Sequence, residues 1–171
     1  MNIRTETPAD HEKVYQIHYL AFQNREDESR LVERIRLSEQ FIPELSIVAE
    51  NETEIIGHIL LSKAKIINDD TEHEVIVLAP VAVKPGYQKS GAGSSLIKEG
   101  LSRCRAMGYD LVLLIGHPGY YPRFHFMPAR KYGLELTQFS VPDEVFRVHE
   151  LRPGALHSVK GELIYPQAFF S

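Results

Sequence analysis

The sequence predicts an α/β fold of the α+β kind built on a mixed sheet, and two observations carry the prediction. Three apolar, β-branched runs follow one another across residues 45–83 with short polar turns between them, as the strands of an antiparallel meander do. Residues 75–115 then read as strand, glycine loop, helix and strand, and a strand that returns through a helix lies parallel to its partner by a right-handed crossover. At 171 residues the expectation is one domain, 1–171, because a second core needs more chain than the first leaves over.

Taken in order, residues 1–6 alternate as a strand does. Thr7-Pro8-Ala9-Asp10 supplies a cap, a proline at the first helical position and an acid at the third. Val14, Ile17, His18, Ala21 and Phe22 recur on one helical face, and after the polar stretch 23–27 a second stripe of Leu31, Ile35 and Leu37 marks another helix. Residues 45–50 and 55–67 are strands around the turn at 51–54, and the turn at 68–71 leads into a strand over 74–83 that Pro80 is expected to interrupt. The next helix has Leu96, Ile97, Leu101, Cys104 and Met107 on its apolar face and Gly108 past its end. Residues 111–115 are wholly apolar, as in a strand covered on both faces. A loop dense in Gly, Pro, His and Tyr fills 116–128, and short late strands are expected at 134–136, 145–148 and 163–165.

Composition removes several classes of function. The 19 basic residues against 23 acidic ones give a net charge of −4, which offers no broad footprint for nucleic acid. The longest apolar run, 111–115, falls far short of the roughly 18–20 residues of a membrane span. Cys104 is the one cysteine, so no internal disulfide can form, and residues 2–6 carry no apolar leader; cytoplasm is the expected location. Paired cysteines and a His-Glu-x-x-His run are both missing, and no metal is expected.

The informative segment is Gln88-Lys89-Ser90-Gly91-Ala92-Gly93, at the passage from strand to helix. Such a junction presents unpaired backbone N–H groups and the positive end of the helix dipole, which suits a phosphate or pyrophosphate. Glycines let the chain turn sharply and let an anion approach the backbone. Gly86 and Gly91 have the spacing of a nucleotide P-loop, but Ala92 stands where its lysine belongs. The dinucleotide fingerprint fails as well, because Ser94, Ser95 and Leu96 follow Gly93 without a third glycine.

Residues 81–93, Val-Ala-Val-Lys-Pro-Gly-Tyr-Gln-Lys-Ser-Gly-Ala-Gly, closely resemble the signature of the GNAT superfamily of N-acetyltransferases: an apolar strand, a proline turn, then Gln/Arg-x-x-Gly-x-Gly/Ala opening a helix. The order of elements is also similar, up to about residue 138. The resemblance implies a mostly antiparallel sheet whose fourth and fifth strands, parallel to each other, splay around acetyl-CoA, with a further helix after the fifth. It implies that Gln88, Lys89, Gly91, Ala92, Gly93 and Ser94 form the pyrophosphate loop. Backbone groups of Val81 and Val83 pair with the pantetheine arm as an added strand would, and an N–H near Val81 serves the oxyanion. The acetyl group then passes to an amine by direct attack.

In the family a tyrosine stands four residues before a Gly-Phe pair, and Tyr121 has that distance from His125-Phe126; the resemblance makes Tyr121 the general acid. A bacterial subgroup shares Gly-Asp/His-Pro-x-Tyr-Tyr-x-Arg-Phe-Gly-Phe, from which this chain departs by His125 in place of glycine. Tyr120 is expected to pack against the helix that follows. Glu26, Glu28 and Glu74 are the carboxylates considered as base, with none singled out, and His117 and His125 flank the tyrosines. The acceptor stays open among small-molecule and peptide amines, and a homodimer is left open. The alternative reading keeps the fold and drops the chemistry, leaving a CoA-binding or regulatory module.

Overall fold

The computed structural model describes residues 1–171. After β1 (Asn2–Thr5) the chain enters α1 (His11–Ala21) through a single 3-10 turn, Pro8–Asp10. The capping sequence works as expected: the Thr7 amide and hydroxyl donate to the Asp10 carboxylate at 2.7 and 3.1 Å, and the Asp10 amide donates to the Thr7 carbonyl at 2.9 Å. Arg4 donates to the same carboxylate at 2.8 Å and, with the Thr7 amide, holds the Asp10 carboxyl down at about 2.

Helix α2 (Asp27–Arg36) buries Ser29, Val32 and Ile35. Leu37, expected on that stripe, lies one residue past the helix end and is 91% exposed; Val32 takes the inward position. Strands β2 (Ser46–Glu50), β3 (Ile55–Asn68) and β4 (Thr71–Val83) form the expected meander. Pro80 does not interrupt β4, since a proline removes one ladder donor while its neighbours keep pairing. Helix α3 (Ala92–Ala106) leads to β5 (Leu111–Ile115), which runs parallel to β4 with Ile76 opposite Val112 and Val77 opposite Leu113. The late elements are β6 (Met127–Pro128), β7 (Leu134–Glu135), β8 (Phe146–Glu150), the short α4 (Ala155–Ser158) and β9 (Gly161–Ile164). The sheet has nine strands in the order β1-β2-β3-β4-β5-β8-β6, with β9 pairing β3 and β7. It is therefore mixed and largely antiparallel, as predicted.

One expected element is missing. No α-helix lies between β5 and β8; the chain makes two 3-10 turns, Tyr121–Phe124 and Ala129–Tyr132. Pro118, Pro122 and Pro128 remove the donors that a continuous helix needs across this stretch.

The chain divides into two compact units. The first contains Met1–Ser62, Ala79–Arg103 and Gln167–Ser171. Its core sets Val14, Ile17, Val32 and Ile35 of the two helices on Val48 and Leu60 of the sheet. Two glycines let α3 approach β3: a Cβ at Gly100 would lie 2.8 Å from Leu61 Cδ1, and one at Gly57 would lie 3.0 Å from Leu96 Cδ1. The second unit, Lys63–Leu78 and Cys104–Pro166, is centred on β5 and β8, where Val112, Leu113, Phe146 and Val148 are fully buried.

The core of the first unit also holds a polar chain. His18 Nε2 lies 2.8 Å from His58 Nδ1, and His58 Nε2 lies 2.9 Å from Ser46 Oγ and 3.6 Å from Glu6 Oε2. Arg36 clamps Glu6 with bonds of 2.8 and 2.9 Å. Burial presses both imidazoles toward neutrality, His58 to about 3 and His18 well below its ordinary value. The unfolded chain binds protons that the folded one refuses, so stability is full above the ordinary histidine value of about 6.5 and falls as pH drops toward 3. Each histidine contributes up to about 1.4 kcal/mol per pH unit. Urea unfolding at pH 5.5 should therefore give a stability about 2.7 kcal/mol below that at pH 7.5; equal stabilities would show that the pair carries charge when folded.

Candidate active site

The loop before α3 belongs to the first unit. Gly86 and Gly91 take left-handed backbone with φ of +96° and +92°, and Lys89 does so at +67°. The first helical bond runs from the Ser95 amide to the Gly91 carbonyl at 3.0 Å, and the Ala92 amide turns to Ser90 Oγ at 3.4 Å. The amides of Gly93 and Ser94, in the first turn, are thus left to an outside acceptor at the positive end of α3. Gln88, Lys89, Ser90 and Gly91 are exposed, and a Cβ built on Gly91 meets nothing within 4 Å. An open backbone of this kind, with a lysine beside it, fits an anionic group. Ala92 is 1% exposed, so its side chain packs inward and anchors the helix start.

What holds the loop was not legible in the sequence. Lys84 pairs with Glu54 of the β2–β3 turn, and the Tyr87 hydroxyl donates to Glu54 Oε2 at 3.1 Å. These bonds, Lys84 first, hold the Glu54 carboxyl below its ordinary range. The Tyr87 amide donates to the Lys84 carbonyl at 2.9 Å, closing the proline turn. Gln88 reaches back, its Nε2 at 3.4 Å from the Val83 carbonyl. Along this end of β4, Val81 and Val83 are half-buried while Ala82 between them is buried, as strand alternation requires.

Tyr121 belongs to the second unit and opens the 3-10 turn after β5. Its half-buried ring meets Tyr120 and Phe126 edge to face, with centroids 5.2 and 5.7 Å apart. Burial, reinforced by Tyr120, pushes its phenol up to about 12. Gly116 makes room for the ring: a Cβ there would lie 2.8 Å from Tyr121 Cδ2 and nearer still to Cε2. Gly116→Ala should therefore displace the ring and cost about 1–3 kcal/mol of stability by overpacking, read from denaturant midpoints; an unchanged midpoint would mean the ring moves freely.

His125 closes that turn with φ +65° and ψ +31°, and its amide donates to the Pro122 carbonyl at 3.0 Å. This is the left-handed conformation that glycine takes freely, so histidine preserves the turn at a cost of about 1–2 kcal/mol. Tyr120 packs against Phe124 and under the Arg123 guanidinium, on a 3-10 turn where a helix was expected. His117 Nδ1 accepts the Gly119 amide at 3.0 Å and so shapes the loop. Of the three carboxylates, Glu26 takes bonds from Tyr15 and Arg30 that lower its proton affinity, and Glu74 accepts the Tyr109 hydroxyl at 3.3 Å. Burial pushes the Glu28 carboxyl up. Cys104 is buried with its thiol raised to about 12, which removes it as a nucleophile.

Comparison with known proteins defines the class. Residues 2–129 match the family model of the acetyltransferase (GNAT) domain, and the chain belongs to that family of acetyltransferases. Among its relatives, the Escherichia coli K12 protein named uncharacterized N-acetyltransferase YjhQ is 35% identical over 117 residues, which are 68% of this chain and 65% of YjhQ; this match spans just under two thirds of that protein. YhbS of the same strain, named in the same way, is 28% identical over 169 residues, 99% of this chain and 98% of YhbS. The crystal structure of E. coli YhbS in complex with CoA superposes with a TM-score of 0.89 at 28% identity, covering 98% of this chain and 91% of that one. A GNAT family acetyltransferase from Brucella melitensis in complex with acetyl-CoA superposes with a TM-score of 0.78 at 30% identity, covering 98% and 97%.

Proposed function

We propose that this chain, both units acting as one catalytic domain, transfers an acetyl group from acetyl-CoA to an amine by direct attack. The observation that carries the proposal is the loop at the start of α3, with its left-handed Gly91, the free amides of Gly93 and Ser94 and the exposed Lys89. Those amides, with Gln88 and Lys89 beside them, receive the pyrophosphate. Ala92 contributes by seating the helix. Backbone groups of Val81 and Val83 receive the pantetheine arm as a strand edge receives a peptide, and the Val81 N–H faces the developing oxyanion. CoA and acetyl-CoA in the two related crystal structures support this reading.

Tyr121 serves the sulfur. A phenol near 12 is a weaker acid by about 3.5 units than a cysteine-type thiol near 8.5, so complete proton transfer to the thiolate is uphill by roughly 5 kcal/mol. Tyr121 therefore acts chiefly as a hydrogen-bond donor to the departing sulfur, and bulk solvent supplies the proton afterwards. The acceptor, a small-molecule or peptide amine, must be neutral to attack, at a cost of roughly 4–5 kcal/mol at pH 7 for a lysine-like amine.

Thiol release from acetyl-CoA across an amine library tests the proposal. CoA at 100 times its Kd should also add about 2.7 kcal/mol to stability. Stabilisation by CoA without thiol release from any amine would favour a binding module. His125, standing where the related motif has glycine, keeps the glycine-like turn and so lends that alternative no support.

A further inference from the structure

The second unit contains a cavity of about 440 Å³ that the acetyl-transfer reading does not use. None of Gly116, Tyr120, Tyr121 or Phe126 lines it. Its polar wall sets the ammonium groups of Lys131 and Lys160 and the imidazoles of His125 and His157 against one carboxylate, Glu150, in a chain whose net charge is −4. Glu150 is already engaged, its Oε2 accepting the Leu156 amide at 2.9 Å.

Lys160 is held in place. Its stem lies over Gly133, where a Cβ would come within 2.8 Å of Lys160 Cδ. Its ammonium donates to the carbonyls of Tyr132 and Leu156 at 2.7 and 2.6 Å. An ammonium has three donors, so one is left over, on a side chain whose freedom has already been lost. Lys131 is exposed and makes no ion pair. His125 adds the second observation. It occupies a left-handed position that glycine would fill without strain, and the side chain kept there forms part of the cavity wall. A strained backbone that retains a chemically useful side chain is a mark of a working site.

We propose that this cavity binds a small organic anion carrying two or more negative charges, a phosphate ester or a polycarboxylate, separately from the loop before α3. Inorganic phosphate and citrate are the probes, titrated into the full-length Gly91→Glu variant so that the loop does not compete. The readout is the ring resonances of His125 and His157 by NMR. Both should shift saturably, and whichever probe binds more tightly identifies the chemistry. Adding Lys131→Glu should weaken binding about tenfold or more, the equivalent of about 1.4 kcal/mol, while the same substitution in the otherwise natural chain leaves CoA binding unchanged. His125→Gly relieves the backbone, so it should weaken the anion without loss of stability. Ring resonances that stay in place with both probes, or equal affinity after Lys131→Glu, would overturn the proposal. Thiol release plays no part in this test, so its outcome stands apart from that of the acetyltransferase reading.

Discussion

Gly91→Glu should raise the Kd for CoA about a hundredfold and leave the fold intact. A Cβ at Gly91 points into open space, so the cost to folding is confined to forcing an L-residue to φ +92°, about 1–2 kcal/mol. The cost to binding is larger. A carboxylate about 5 Å from one charge of the pyrophosphate, at an effective dielectric of about 20, is repelled by roughly 3 kcal/mol, which is about two orders of magnitude in affinity. Gly91→Ala separates the two effects, since it carries the backbone strain without the charge. Calorimetric titration of CoA into both variants, with urea midpoints measured alongside, checks this. Unaltered affinity in the glutamate variant would remove the loop from the binding site and with it the main support for the proposed function.

Tyr121→Phe should lower kcat by about 10- to 100-fold and leave the affinity for CoA unchanged. The range follows from the role assigned to the phenol: a hydrogen bond to a charged partner contributes about 1.5–3 kcal/mol, whereas full general acid catalysis would contribute up to about 10⁴-fold. Phenylalanine keeps the packing against Tyr120, Phe126 and Gly116, so a fall in kcat would report the hydroxyl and not a collapsed turn. An unchanged kcat with a reactive acceptor would withdraw Tyr121 from the chemistry while leaving the enzyme class in place.

Much of the fold was legible in the sequence because the signals are local. Apolar, β-branched runs between polar turns marked β2, β3 and β4, the helical stripe of Leu96, Ile97 and Leu101 marked α3, and Gly108 took left-handed backbone just past its end. Local rules failed where the helical phase was misjudged or where neighbours competed. Leu37 falls outside the stripe because two residues past Ile35 is about 200° round a helix, on the face away from the core, and the segment after β5 became 3-10 turns under the constraint of its prolines.

By itself the sequence determined the order of the elements from β1 to β5, the glycine loop with its free amides and the spacing of Tyr121 from His125. Each of these depends on residues within one turn of chain. Only the tertiary structure decided which distant residues meet. The clamp of Lys84 and Tyr87 on Glu54, the buried pair His18 and His58, and the gathering of His125, Lys131, His157 and Lys160 around one cavity all join residues far apart in the chain. Such meetings are set by strand register and by which face of each element is buried, and no periodicity along the chain encodes them.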